Sequence, residues 1–185
     1  MLDIRQKGYL LKLAREVILA RLEKREISIE LDRKGIFSKK VGAFVTLKID
    51  DELRGCIGYI EAFKPLIETI VDMAEAAAFQ DPRFYPLQKK EFSDLVIEIS
   101  IISELQEVTS IEDIKIGRDG LLIRNKFKSG LLLPQVPVEW NWDRKEFLQQ
   151  TCRKAGLDKD DWKLIDNKLL KFSAEIFSER KEKRI

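Results

Sequence analysis

The stretch from Val41 to Ile60 reads VGAFVTLKIDDELRGCIGYI, and it decides the fold of this chain. Two β-prone runs, 41–49 and 53–60, flank the polar turn Asp50-Asp51-Glu52. Such runs, bounded by turn residues, are typical of an antiparallel hairpin. We therefore predict two paired strands at this point of the chain.

Outward from the hairpin, the spacing of apolar residues predicts the remaining elements. Intervals of three and four predict an amphipathic helix from Asp3 to Glu26 and a second helix that opens at Pro65. A third helix is expected from the cap Asp143. The other predicted strands are 94–103, 117–125, 130–136 and 169–177. Adjacent strand pairs without a regular β-α-β series predict an α+β fold, with a mostly antiparallel sheet and flanking helices.

Length and charge limit the classes of protein to consider. A chain of 185 residues suits one domain, or a domain with two lobes. Its 34 basic and 32 acidic residues nearly cancel to +2, which argues against a dedicated DNA-binding domain. There is no signal peptide or long apolar run, and the two cysteines lie far apart. We therefore expect a cytoplasmic protein without a disulfide or a membrane partner.

The absence of histidine excludes most familiar active sites. With no histidine in the chain, a Ser-His-Asp triad, a Cys-His dyad and a histidine-ligated zinc are impossible. Acid–base chemistry would fall to carboxylates, lysine, tyrosine or cysteine. We expect no metal and no cofactor.

The segment 53–58, LRGCIG, combines an arginine, a cysteine and two glycines in one strand. Strand alternation predicts that Arg54, Cys56 and Gly58 share one face. A guanidinium beside the thiol would favour the reactive thiolate. The alternative is that Cys56 is a buried small apolar residue and that the glycines are packing positions.

Two further sets of polar residues have the same two interpretations. The loop after the second helix contains Asp81, Arg83 and Phe84, which could recognise a ligand or simply fix the loop. Gln135 and Glu139 interrupt an otherwise apolar run. A polar side chain in such a run needs a partner or a ligand.

Three motifs in a fixed order resemble the AMMECR family. They are LRGCIG at 53–58, DPRF at 81–84, and LLPQV at 132–136, which is followed by Trp142 and by FLQQTCRKAGL at 147–157. The resemblance extends over nearly the whole chain. It implies one AMMECR domain over residues 7–178, with a larger and a smaller lobe and a cleft between them. A charged tail would follow at 179–185.

The resemblance also implies site residues and partners. By motif match, these residues line or support the site: Arg54, Gly55, Cys56, Gly58, Asp81, Arg83, Phe84, Pro134 and Gln135. Glu139 is added as a candidate from its position in the apolar run. In prokaryotes, such domains are the first component of the AmmeMemoRadiSam system, together with a Memo-like protein and a radical SAM protein.

Three functions follow as hypotheses. The first is an accessory protein that acts with the Memo-like and radical SAM proteins. The second is an enzyme in which Cys56 is the nucleophile for a small-molecule or RNA-linked substrate, with Arg54 or Arg83 holding an anion and Glu98, Glu139 or a lysine as base. The third and weakest is nucleic-acid binding, which the near-neutral net charge disfavours.

Overall fold

The computed structural model describes residues 2–61 and 63–179. These residues form two compact units, 2–102 with 175–179 and 103–174, and each has its own buried apolar core. The division agrees with the larger and smaller lobe that the resemblance implies. The cleft and the domain bounds 7–178 stay predictions. The predicted charged tail lies outside the described residues from position 180 onward.

Helix α1 (Ile4–Glu23) opens the first unit, close to its predicted bounds. Asp3 and Gln6 cap it reciprocally, because the side chain of each accepts a hydrogen bond from the backbone N–H of the other. The helix ends where Lys24 adopts a left-handed φ of 53°. The buried face consists of Leu10, Leu13, Ala14, Val17, Ile18 and Ala20.

Beside it lie three neighbouring antiparallel strands of a longer sheet, β1 (Ala43–Ile49), β2 (Glu52–Tyr59) and β3 (Val96–Ile102). β1 lies between the other two, and β2 is the outermost strand. Asp50 and Asp51 both have positive φ, 51° and 65°, as in the tight turns whose twist matches that of paired strands. The predicted hairpin is confirmed.

Helix α2 (Leu66–Phe79) packs on β1, β2 and α1. It begins after Pro65, as predicted, and the chain turns away at Gln80, before the Asp81-Pro82 pair. Alanines on its buried face allow a close approach to β2. A 3-10 turn, Lys89–Asp94, connects the following loop to β3.

The second unit is built from four strands and two helices. They are β4 (Gln106–Glu107), β5 (Asp119–Arg124), β6 (Ser129–Leu132), α3 (Val136–Glu139), α4 (Arg144–Lys154) and β7 (Lys168–Ser178), whose last four residues belong to the first unit. β5 pairs antiparallel with both β6 and β7. Helix α4 covers the core of this unit with Phe147, Leu148 and Cys152.

One predicted strand is too long. The run 130–136 was expected to be extended throughout, but β6 ends at Leu132 and Val136 begins the short helix α3. Pro137 lies in the first turn of that helix, where proline loses no hydrogen bond and its fixed φ is helical.

The α+β class with an antiparallel sheet is confirmed by these elements and their pairing. Within residues 2–61 and 63–179, no helix combines the length and the apolar character that crossing a membrane would require.

Candidate functional site

The site begins with the pairing of β2. Cys56 lies opposite Thr46 and Gly58 opposite Phe44, whereas Gly55 lies opposite the buried Leu47. Cys56 and Gly58 therefore share the face of the sheet that points away from the core of this unit, as alternation predicted.

A β-bulge interrupts the alternation at Arg54. The register shifts between Leu47 and Lys48, so that Lys48 pairs with Leu53 and Arg54 has no partner on β1. An extra residue in one strand disrupts the ladder and redirects side chains. The position of Arg54 is therefore established by its contacts and not by strand alternation.

Both glycines of the motif are packing positions. A Cβ at Gly55 would lie 2.1 Å from the carbonyl oxygen of Ala77 in α2. A Cβ at Gly58 would lie 2.3 Å from the ring of Phe44. Because only glycine permits these approaches, the two glycines allow β2 to lie against α2 and beneath Phe44.

Asp81 fastens the loop 81–84 to β2. Its side chain is only 2% exposed and accepts a hydrogen bond from the backbone N–H of Cys56 at 2.8 Å. It also accepts hydrogen bonds from Nε and Nη2 of Arg83, at 2.9 and 2.7 Å. The Arg83 guanidinium holds the pKa of the Asp81 carboxyl far below its ordinary value. Arg83 Nη2 in turn donates to the carbonyl oxygen of Cys56 at 3.3 Å.

A second carboxylate orients Arg54 in the same way. Glu91 accepts hydrogen bonds from Arg54 Nε at 2.8 Å and from Nη2 at 3.2 Å. The same Nη2 also donates to the carbonyl oxygen of Tyr85. The Phe84 ring lies near both guanidiniums, with its centre 5.8 Å from Arg54 and 5.5 Å from Arg83, within the range of cation–π attraction.

In both arginines the same nitrogen, Nη1, remains available as a hydrogen-bond donor. Among the described residues, each guanidinium uses Nε and Nη2 for its hydrogen bonds, and no bond involves Nη1. An open depression of about 380 Å³ lies beside them, and its walls include Phe84, Tyr85 and Lys90. Cys56 is not among the described residues that line it. The arrangement can bind an anionic group.

The thiol of Cys56 is half-buried. Burial raises its pKa, and the Thr46 hydroxyl and the Arg83 charge oppose this effect only in part. The sulfur lies 3.1 Å from Thr46 Oγ1. Glu98, opposite Thr46 on β3, is paired with Lys48 at 3.0 Å. At neutral pH the thiol is protonated, which is a poor state for a nucleophile.

The remaining candidates belong to the second unit. Pro134 is buried, and the carbonyl oxygen of Gln135 accepts hydrogen bonds from the N–H groups of Val138 and Glu139. Oε1 of Gln135 is buried without a hydrogen-bond partner among the described residues. Glu139 is exposed. Their part in a site stays a prediction.

Seven predicted residues come together in the first unit: Arg54, Gly55, Cys56, Gly58, Asp81, Arg83 and Phe84. Sequence reasoning missed Thr46 and Glu91. The pairing of Thr46 with Cys56 could have been read from the hairpin register. Glu91 gives no such signal, since its contact with Arg54 spans 37 positions. Among the described residues, no group of three Cys, Asp or Glu side chains could hold a metal ion.

Comparison with known proteins identifies relatives along the whole chain. The AMMECR1 family model matches residues 11–177. Protein TK0174 of Thermococcus kodakarensis is 44% identical over 182 residues, which cover 92% of this chain and 89% of that protein. Protein MJ0810 of Methanocaldococcus jannaschii is 44% identical over 187 residues, 97% of this chain and 92% of its own length.

A solved structure agrees with these relatives. The crystal structure of the uncharacterised protein PH0010 from Pyrococcus horikoshii superimposes with a TM-score of 0.84 at 42% identity. The match covers 93% of this chain and 90% of that one. Sequence motifs, fold and family model lead to one conclusion: the chain belongs to the AMMECR1 family.

Proposed function

We propose that this protein is an accessory protein that binds an acidic segment of a partner at the depression beside Arg54, Arg83 and Phe84. One observation carries the proposal. Each of the two guanidiniums is oriented by its own carboxylate and keeps Nη1 as a donor beside that depression. Charge-assisted hydrogen bonds from arginine suit carboxylates and phosphates, and Phe84 adds apolar surface between polar contacts.

The resemblance to the AMMECR family suggests which partners to test first. A Memo-like protein and a radical SAM protein accompany such domains in prokaryotes, so one of them is the expected source of the acidic segment. A reducing cytoplasm is the proposed location. Cys56 and Cys152 are both free thiols, and free cysteines persist in reducing compartments.

Titration calorimetry with each purified partner tests this proposal. Replacing Arg83 by Ala removes one exposed donor, and we expect affinity to fall by roughly tenfold, the value of one charge-assisted hydrogen bond. Arg118 is the matched control, because it is 50% exposed and paired with the buried Asp119, while Arg83 is 53% exposed and paired with the buried Asp81.

Arg118→Ala should leave the affinity unchanged. Equal losses for Arg83→Ala and Arg118→Ala would show that binding depends on general charge and not on this site. If neither partner binds the wild-type chain at high micromolar concentration, the proposal that this protein acts by binding one of them is wrong.

Catalysis with Cys56 as nucleophile is the second candidate function. It is favoured by the contact between Thr46 Oγ1 and the sulfur at 3.1 Å, since a hydroxyl donor stabilises a thiolate. The raised pKa of the thiol and its absence from the walls of the depression favour the binding function instead.

A further inference from the structure

Two loops meet at one end of the second unit. Arg124 of β5 pairs with Lys168 of β7, so the turn after β5 and the loop before β7 lie at the same end of the sheet. Asn125 Nδ2 donates to Asn167 Oδ1 at 2.8 Å and ties the loops together. We name residues 124–129 and 163–168 the basic tip.

The basic tip exposes large apolar side chains. Phe127 is 86% exposed and Ile165 is 99% exposed, with Leu164 beside it at 54%. The backbone that carries Phe127 is fixed, because Asn125 Oδ1 accepts hydrogen bonds from the N–H groups of Phe127 and Lys128. Asn167 donates its N–H to the carbonyl oxygen of Leu164. Large exposed apolar groups on two adjoining, ordered loops indicate an interaction surface.

Charge is concentrated at the same place. The twelve residues of the basic tip contain five basic side chains and one acidic side chain, a net charge of +4, whereas the whole chain carries +2. Lys163 is paired with Asp160, just outside the tip, at 3.2 Å. The rest of the molecule is therefore net negative. Four of the five basic residues are lysines, all exposed: Lys126, Lys128, Lys163 and Lys168.

We propose that the basic tip binds the surface of an anionic lipid bilayer, with Phe127, Leu164 and Ile165 entering the headgroup region. Apolar side chains flanked by lysines are the composition of interfacial membrane contacts, and each basic residue near an anionic surface strengthens attachment. A protein partner fits less well, because lysine is depleted at protein interfaces. Nucleic acid also fits less well, because aliphatic Leu164 and Ile165 give bases no ring to stack on.

Interfacial binding requires no membrane-crossing helix, so it is compatible with the absence of such a helix among the described residues. It is also independent of the proposed partner-binding function, which uses Arg54 and Arg83 in the first unit. Either function can fail without the other.

Co-sedimentation of the full chain with lipid vesicles tests the inference. Vesicles of phosphatidylcholine containing about one-quarter phosphatidylglycerol supply the anionic surface, and pure phosphatidylcholine vesicles are the neutral control. The double variant Phe127→Ala/Ile165→Ala removes apolar contact without changing charge. The control, Ile4→Ala/Phe63→Ala, removes one aliphatic and one aromatic side chain, 86% and 62% exposed, from the first unit.

We expect binding to anionic vesicles and none to neutral vesicles, with affinity roughly tenfold lower for Phe127→Ala/Ile165→Ala. Lys126→Glu should also weaken binding, whereas Ile4→Ala/Phe63→Ala and Arg83→Ala should not. Absence of sedimentation with anionic vesicles would overturn the inference. So would equal loss in both double variants, or tighter binding to a single-stranded oligonucleotide than to the vesicles.

Discussion

The chemistry of the Cys56 thiol is determined by the side chains around it. One of the two interpretations of the segment is an activated thiol, because an arginine stands two positions away. In the structure, the Arg54 guanidinium is bound by Glu91, and Arg83 is bound by Asp81. Burial of the sulfur outweighs what remains of the positive charge and raises the pKa of the thiol.

The rate of alkylation of Cys56 as a function of pH checks this conclusion. In a Cys152→Ala background, we expect slow labelling at neutral pH and a midpoint above the ordinary thiol pKa of 9.0. Thr46→Val should move the midpoint further up, because the Thr46 hydroxyl lowers the pKa. A midpoint near neutral pH would instead favour catalysis by Cys56.

For individual residues, sequence reasoning placed Cys56 and Gly58 correctly on one face of β2. It also chose site residues that do come together in the structure. It did not predict the hydrogen bonds that Asp81 makes with Cys56 and Glu91 makes with Arg54, because these residues lie far apart in sequence. Asp81 reaches Cys56 over 25 positions and Glu91 reaches Arg54 over 37. The pair of Asp81 and Arg83 is local, but no local pattern indicates that Glu91 will pair with Arg54.

Among the elements, strand β2 depends on Gly55. A Cβ there would lie 2.1 Å from a backbone carbonyl oxygen of α2, which no side-chain movement can relieve. We expect Gly55→Ala to lower the free energy of unfolding by about 3 kcal/mol, the upper range for overpacking. Urea denaturation measures this change.

The control is Gly8→Ala in α1, where nothing lies within 4 Å of the added methyl group. It should raise the free energy of unfolding by about 1 kcal/mol, because alanine is the better helix former. If Gly55→Ala proves as stable as the wild type, β2 does not approach α2 as closely as described.

Element positions were well predicted where a simple period holds. The apolar spacing of α1 and the hairpin of β1 and β2 follow from sequence. Two features were not predicted from the sequence. The bulge at Arg54 depends on the register of the facing strand, and the short helix α3 follows an apolar, proline-containing run that is equally compatible with an extended strand.

For the whole molecule, the absence of histidine predicts a flat pH dependence of stability. Histidine is the side chain that ordinarily titrates between pH 5 and 8. Ion pairs lower the carboxyl pKa values of Asp81 and Glu91, so their stabilisation is present above the unfolded pKa near 4 and is lost as pH falls below it. Burial raises the thiol pKa values of Cys56 and Cys152, so their contribution is lost only in alkaline solution.

Urea denaturation at a series of pH values measures this profile. We expect constant unfolding free energy between about pH 5 and 8 and a decline in acid. Asp81→Asn should flatten the decline, because its carboxyl is buried and paired, whereas Asp160→Asn, at an exposed ion pair, should change it less. A marked dependence of the unfolding free energy on pH near 7 would contradict this prediction.

The order of the predicted helices and strands indicated the fold class, but the net charge did not predict where charge is concentrated. Strand pairs, helices and the two-unit division agree with the α+β expectation. The net charge of +2 argues only against a dedicated DNA-binding domain. It conceals the basic tip, because that surface is assembled from two segments about 40 positions apart in sequence.

The contact of Asp81 and Arg83 with Cys56 also affects how molecules meet in solution. β2 is the outermost strand of its sheet, and an open strand edge is a template on which other chains can add strands and aggregate. At Cys56 both backbone hydrogen-bonding groups are already engaged by charged side chains. To pair at Cys56, an incoming strand would have to displace the buried Asp81 carboxylate. The loop 81–84 therefore also hinders the edge-to-edge association of strands that leads to fibres.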